Sequence, residues 1–320
     1  MPGLFFVTCM IPLQMTSGDL IADRRAAYAE ALFPDDPQAA ADLLRQTLDL
    51  VPLWVAGWFR LGEMLGPLDA EAAAAAFARA LDLDPEDRLG AGLMCDTLRT
   101  RSLADTMPSA FVETLFDQYA AGFDTALVAR LDYRAPQLLR AGLRGRFDRV
   151  LDLGCGTGLM GAELRGMAGY LEGWDISGEM LREASAKGIY DRLEKRDLSA
   201  LSPAPASWDL IAAADVFAYL GALERITSWV ASALAPGGRF AFTVERHAGP
   251  EAYVLRDSRR YAHSEAALAA LLDTAGFDVS MTRDRLRMDR GEAIEGLVVQ
   301  ATRRAVSAAR QGDGEDAVAA

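Results

Sequence analysis

The sequence predicts an α/β protein built on a doubly wound parallel sheet, with an all-α helical repeat region in front of it. Three observations predict this. From Arg149 onward, short apolar strands alternate with amphipathic helices, the rhythm of a parallel sheet covered on both faces. A glycine-rich turn, Gly154-Cys-Gly156-Thr-Gly158, joins the first of these strands to a helix. Upstream, two stretches match at a fixed shift, Pro52 to Pro85, or 33 residues.

The repeat comes first along the chain. Residues 38–52 read QAAADLLRQTLDLVP and residues 71–85 read EAAAAAFARALDLDP, so that Leu44 matches Phe77, Leu48 matches Leu81 and Leu50 matches Leu83. Between them, Trp58, Leu61 and Gly62 supply the W-x-x-L-G start of a helix-turn-helix unit, and Ala74 and Ala80 are small enough for paired helices to approach closely. A degraded third copy covers residues 88–98. The pattern resembles tetratricopeptide repeats over a domain spanning residues 20–105. Two units rarely bury a continuous core alone, so the region is expected to dock on the following domain or on another subunit. It is either a groove for a partner or substrate, or a cap over apolar surface.

Composition narrows the function. The net charge is −13, with 51% hydrophobic and 25% charged residues, which disfavours a nucleic-acid surface, because phosphate binding needs clustered Lys and Arg. Three scattered cysteines, Cys9, Cys95 and Cys155, make neither a disulfide framework nor a metal site and point to a reducing cytoplasm. No stretch reaches the ~20 apolar residues that span a bilayer. Residues 1–19 are expected to be disordered or to precede the true start, with Met15 as an alternative initiator, and residues 304–320 lack an apolar period and are expected to be disordered.

Pro108 marks a boundary, and the second domain is placed at residues 106–303. Phe111, Leu115, Tyr119, Phe123, Leu127 and Leu131 recur near helical spacing, and a second helix follows Pro136. Strands are predicted at 149–154, 170–175, 193–197, 208–215 and 238–245. Two further strands, at 278–288 and 294–303, follow a helix and lie close enough for an antiparallel hairpin.

The loop after the first strand can cradle a ligand, because its glycines permit positive φ and close backbone approach and the next helix presents free N–H groups. Gly156-Thr-Gly158-Leu-Met-Gly161 also satisfies the dinucleotide fingerprint. Asp175, at the end of the next strand, would meet ribose hydroxyls of either cofactor. Four features favour S-adenosylmethionine. Asp152 two residues before the first glycine would lie near a methionine ammonium and repel a pyrophosphate. Asp197, in Arg196-Asp197-Leu198, closes the third strand where an acid can accept from the adenine amino group. Trp208-Asp209 opens the fourth strand and Leu234-Ala-Pro-Gly-Gly238 turns into the fifth. The C-terminal hairpin is not a usual dehydrogenase ending.

At these residues the chain resembles class I S-adenosylmethionine-dependent methyltransferases, and with FDQYAAGFD and the repeats it is similar to bacterial predicted methyltransferases carrying N-terminal tetratricopeptide repeats. The resemblance implies a seven-stranded Rossmann-like sheet with an antiparallel last strand. It implies cofactor contacts at Asp152, Gly154, Cys155, Gly156, Gly158, Asp175, Ile176, Asp197, Leu198 and Ala214, with Tyr119 as an aromatic lid and Phe123 read as core packing.

Methyl transfer is an in-line displacement, so positioning dominates, no metal is needed, and a base matters only if the acceptor must lose a proton. The acceptor belongs beyond the carboxyl ends of the strands. Asp215 either orients it or caps the next helix; Tyr219 either lines the pocket or packs. Both histidines of the chain, His247 and His263, fall near this edge, and either is a candidate general base, His263 alternatively being the residue before the helix cap Ser264. Arg259 and Arg260 bind an anionic group or are solvated. The expected function is methyl transfer to the oxygen or nitrogen of a small molecule or protein. The rivals are an interaction protein with a regulatory or vestigial cofactor domain and a nicotinamide oxidoreductase.

Overall fold

The computed structural model describes residues 16–98, 107–125, 127, 131–203, 206–256 and 258–305. The start and tail expectations for residues 1–15 and 306–320, and most of the boundary before Pro108, lie outside the described residues. Among the described residues five helices come first: α1 (Leu20–Leu32), α2 (Pro37–Leu48), α3 (Val55–Leu65), α4 (Ala70–Leu83) and α5 (Ala91–Leu98). Aspartates start three of them. Asp19, Asp36 and Asp69 accept from backbone N–H groups of the first turns of α1, α2 and α4, satisfying donors that a helix start leaves free. Each helix packs on the next in chain order. Gly62 is what lets α3 and α4 meet: a Cβ there would stand 2.7 Å from the ring of Phe77, which is itself fully buried.

The second region begins with α6 (Ser109–Tyr119) and α7 (Ala135–Gly142). Strands and helices then alternate as β1 (Phe147–Leu153), α8 (Leu159–Leu164), β2 (Ala168–Asp175), α9 (Gly178–Lys187), β3 (Arg192–Lys195), β4 (Trp208–Ala213), α10 (Glu224–Ala233) and β5 (Leu234–His247). Two short strands follow, β6 (Tyr253–Leu255) and β7 (Tyr261–Ser264), then α11 (Glu265–Thr274), β8 (Phe277–Asp289) and β9 (Glu292–Arg303).

β3, β2, β1, β4 and β5 run parallel in that order. β9 is antiparallel to β5 along Arg239–Glu245, and β8 pairs with β9. Alternating residues feed two cores. Leu151, Ile211, Phe240 and Phe242 join Trp229 and Leu272 on one face, while Val150, Leu210, Ala212 and Ala241 meet Leu139, Met160 and Leu164 on the other. A sheet buried on both faces produces the apolar runs seen in the sequence. Between Trp208/Leu234 and Leu210/Arg239 the register jumps, so Ala235–Gly238 bulges out, with Gly237 at φ +75.

The seven expected strands are therefore joined by two more. β6 and β7, which were not expected from the sequence, pair as a hairpin: β7 pairs parallel with the carboxyl end of β5 and antiparallel with β6. This hairpin receives the helical layer. Tyr261 is fully buried within the core of the five helices, with Tyr219, Tyr253 and Leu255 packed against it. Arg259 donates to Glu63 of α3 at 2.6 Å and lies 5.4 Å from the ring centre of Phe59.

Because the Phe77 ring has no room to retreat, Gly62→Ala should destabilise the helical layer by about 1–3 kcal/mol, the usual cost of overpacking. Chemical denaturation followed by circular dichroism checks this; an unchanged midpoint would show that the ring yields.

Candidate functional site

The strands β1 to β4 end in one cavity of about 870 Å³ that runs from the glycine loop to the β8 edge. Its floor is the loop after β1. Gly154 has φ +61 and a Cβ there would meet Val216 at 2.6 Å, so only glycine fits. Gly156 has φ +53, and the nearest atom to a Cβ there would be Phe123 Cε1 at 3.9 Å; its missing side chain leaves open floor. The loop is held by Asp175, whose Oδ2 accepts from Gly156 N and whose Oδ1 accepts from Ser177 N, both at 2.8 Å. A carboxylate has further lone pairs, so Asp175 keeps acceptor capacity for a diol. Burial pushes its pKa up to about 6, against the backbone donors.

Further along the wall lie Ile176 and Leu198. Asp197 lines the cavity too, accepting from Ser199 N at 2.8 Å and from Ser109 Oγ at 2.6 Å. Cys155 also faces the cavity, and burial pushes its thiol well above the usual range, so it is a protonated packing group. Ala214 lies at the end of β4, its carbonyl accepting from Tyr133 at 3.2 Å. Tyr119 and Phe123 both line the roof; Phe123, read from sequence as core, faces the cavity instead. Open floor at Gly156, a carboxylate with spare lone pairs and apolar side walls fit the sugar and planar base of an adenosyl group.

Four expected residues stand elsewhere. Gly158, at φ +94, caps the start of α8 and does not line the cavity. Asp152 does not line the cavity: it is buried under the loop, where the Tyr190 hydroxyl donates to its Oδ2 at 2.6 Å. Burial pushes its pKa up to about 7. Gly161, the last glycine of the dinucleotide pattern, makes room for that same tyrosine, since a Cβ there would sit 2.2 Å from the Tyr190 oxygen. His247 pairs with Glu251 at 2.8 Å, outside the cavity. His263 sits in β7 with Nε2 at 3.0 Å from the carbonyls of Leu220 and Gly221, and burial holds its pKa below the usual range. Neither ring touches the cavity, so neither reaches a reacting group there.

Asp215 and Tyr219 do line it. Arg260, half of a pair open to two readings from sequence, is neither solvated nor free. It meets Glu245 Oε1 at 2.6 Å, Asp215 Oδ2 at 2.7 Å and the Tyr219 hydroxyl at 2.9 Å. Arg287 of β8 meets the same two carboxylates, Glu245 at 2.6 Å and Asp215 at 3.3 Å. Although burial works against the charge on Glu245, Arg260 and Arg287 hold its pKa below the usual range.

Sequence reasoning also missed two acids that fasten the roof. Asp117 accepts from Ser177 Oγ at 2.6 Å; Asp124 accepts from Thr157 and meets Lys187 at 2.5 Å. Their signal was the doubled Phe-Asp of FDQYAAGFD, seven residues or two helical turns apart. Among the described residues no cluster of His, Cys, Asp or Glu could hold a metal, and no helix is long and apolar enough to cross a membrane.

Residues 150–238 match the family model described as "Methyltransferase domain". Among curated proteins, the chain is 44% identical over 86 residues to human Methyltransferase-like protein 27, covering 24% of this chain and 34% of that protein. It is 32% identical over 118 residues to the malonyl-[acyl-carrier protein] O-methyltransferase of Enterobacter lignolyticus, covering 37% of this chain and 43% of that one. The chain thus spans less than half the length of these two relatives. A solved structure titled "DhpI-SAM-HEP complex" is 26% identical with a TM-score of 0.48, covering 63% of this chain and 99% of that one. Residues 150–238, which carry the glycine loop, are therefore similar to methyltransferase domains.

An acid whose native pKa is raised binds more protons folded than unfolded, so stability falls as pH rises through the interval. For Asp152 the interval runs from the ordinary carboxylate value of 3.8 to about 7. Asp152→Asn should leave the thermal midpoint near that of the parent at pH 4 and raise it relative to the parent at pH 8. Midpoints that stay parallel across this range would contradict a buried, reluctantly ionised Asp152.

Proposed function

We propose that this chain transfers the methyl group of S-adenosylmethionine to the oxygen or nitrogen of an acceptor that enters the same cavity. The observation that carries the reading is continuity: one cavity joins Gly156 and Asp175 to Asp215 and Tyr219. When bound, the cofactor supplies an electrophilic methyl group on a sulfonium. Asp175 binds the ribose hydroxyls, Asp197 and the Leu198 backbone edge take the adenine, and Ala214 lies where the methionine portion ends. Tyr119 and Phe123 exclude water from above. Asp215 orients the acceptor, which loses its proton as its lone pair forms the new bond.

The five N-terminal helices are read as tetratricopeptide-like units acting as a cap, supported by their stacking in chain order and by the burial of Tyr261 in their core. Recruitment of a protein partner through them is the second reading, favoured by Leu53 and Tyr28, which are 73% and 64% exposed on the helical layer. A reducing cytoplasmic setting belongs to the proposal, consistent with Cys155 being a free, buried thiol.

Calorimetry with S-adenosylmethionine, S-adenosylhomocysteine and NADH tests the cofactor. Asp175→Ala should weaken binding of the first two by ~10-fold or more, because a charge-assisted hydrogen bond is worth roughly 1.5–3 kcal/mol. Unchanged affinity would remove Asp175 from the site, and binding of NADH alone would overturn the assignment.

A further inference from the structure

We infer that Glu63 of α3, which lies outside the cavity, is a positioning residue for its acceptor end: by holding Arg259 it fixes the turn that sets Arg260 against Tyr219 on the cavity wall. This rests on the methyltransferase reading and names a device that shapes the acceptor site. Residues 256–260 join β6 to β7. The turn closes through Arg259 N–H to the Arg256 carbonyl at 2.8 Å and Arg256 N–H to the Arg260 carbonyl at 3.0 Å. Flanking strands of three and four residues lend it little rigidity of their own. Arg259 nevertheless holds φ +57, a left-handed backbone that a residue with a side chain keeps only where its surroundings over-determine it. Those surroundings belong to α3. The guanidinium donates to Glu63 Oε1 at 2.6 Å and stands 5.4 Å from the ring centre of Phe59. Glu63 is itself anchored, because Arg60 donates to its other oxygen at 3.0 Å and is tied in turn to Glu30 at 2.6 Å.

The effect of that hold is delivered one residue further on. Arg259 and Tyr261 reach into the helical layer, while Arg260 between them lines the cavity. Arg260 donates to the Tyr219 hydroxyl at 2.9 Å, and its guanidinium lies 5.1 Å from that ring's centre. The Tyr219 ring meets Phe116 of α6 edge to face, with centres 5.2 Å apart. A swing of Arg259 out of its left-handed conformation would redirect the peptide that leads to Arg260. The guanidinium of Arg260 would then leave Tyr219 and also Asp215, which it meets at 2.7 Å. Among the described residues none from α1 to α5 lines the cavity, so the action of the helical layer on the acceptor end is indirect. The turn has a second anchor on the sheet side, where Arg256 and Arg260 meet Glu245 at 3.2 Å and 2.6 Å. That anchor takes the two ends of the turn; Glu63 takes the residue that carries the left-handed backbone.

The test uses the full chain labelled with 3-fluorotyrosine and saturated with S-adenosylhomocysteine. The Tyr219 fluorine resonance is assigned by its loss in Tyr219→Phe. Glu63→Gln keeps the shape of the side chain and removes its charge; Arg259→Gln breaks the same contact from the other side and leaves the Glu63–Arg60 pair in place. Each variant should shift or broaden the Tyr219 resonance. The double variant should add nothing beyond either one, as for two residues that act through a single contact, and affinity for S-adenosylhomocysteine, bound at the opposite end of the cavity, should stay within ~2-fold. A Tyr219 resonance that stays in place in a folded Glu63→Gln overturns the inference and leaves the turn to Glu245. Additive shifts in the double variant also overturn it. So does a loss of cofactor affinity that accompanies the Tyr219 shift, because the whole cavity has then loosened. If Glu63→Gln does not fold, Arg259→Gln decides alone. A parent protein that does not bind S-adenosylhomocysteine refutes the methyltransferase reading instead, and the coupling of Glu63 to Tyr219 is then decided on the unliganded chain.

Discussion

The Glu245 carboxylate, 1% exposed, is the constraint on which the far end of the cavity depends. It sits where β5 forks, paired with Gly296 of β9 on one side and Ala262 of β7 on the other. Removing an isolated carboxylate from water costs several kcal/mol, and here Arg256 and Arg260 from between β6 and β7 and Arg287 from β8 converge on it. Leaving any of them out would strand a buried charge. The fork, the short hairpin and the long β8 strand are thereby locked into one geometry. Gly296 makes the close approach possible, because a Cβ there would stand 2.3 Å from Leu286.

The cofactor end works on a different principle. There the backbone is the ligand of the side chains: Asp175 gathers two N–H groups and Asp124 holds the loop threonine from above. Four polar links connect the roof to the loops at the strand ends: Ser109 to Asp197, Glu113 to Lys195, Asp117 to Ser177, and Asp124 to Thr157 with Lys187. Only the two lysine pairs are exposed and contribute little each; Ser177 and Thr157 are buried.

Much of the fold was legible in the sequence because it rests on local periodicity. β1, β2, β4, β5 and the β8–β9 hairpin bury residues on alternating or continuous patterns that the eye can follow, and the glycines at 154 and 156 announce a backbone no other residue adopts comfortably. The loop, Asp175, Ile176, Asp197, Leu198, Ala214, Asp215, Tyr119 and Tyr219 come together in the structure around one cavity. The β6–β7 hairpin escaped notice because three- and four-residue strands have no measurable period. Asp152, His247 and His263 were placed by analogy of type, an acid near a cation and a base near a nucleophile. Their surroundings are set by Tyr190, Glu251 and the carbonyls of Leu220 and Gly221, contacts that no spacing rule encodes. Arg260 was ambiguous for the same reason, since its partners come from β5 and the segment after β4.

One contact joins the first quarter of the chain to its last: Arg259 on Glu63, 196 residues apart. During synthesis the helices emerge long before the segment that completes their core. Glu63 and its neighbour Arg60, buried with each other, wait as a half-built socket until the hairpin arrives. The helical layer is then less a removable accessory than a mould. Exchange of this layer for a foreign one would leave the catalytic region with a turn that has nothing to be cast against.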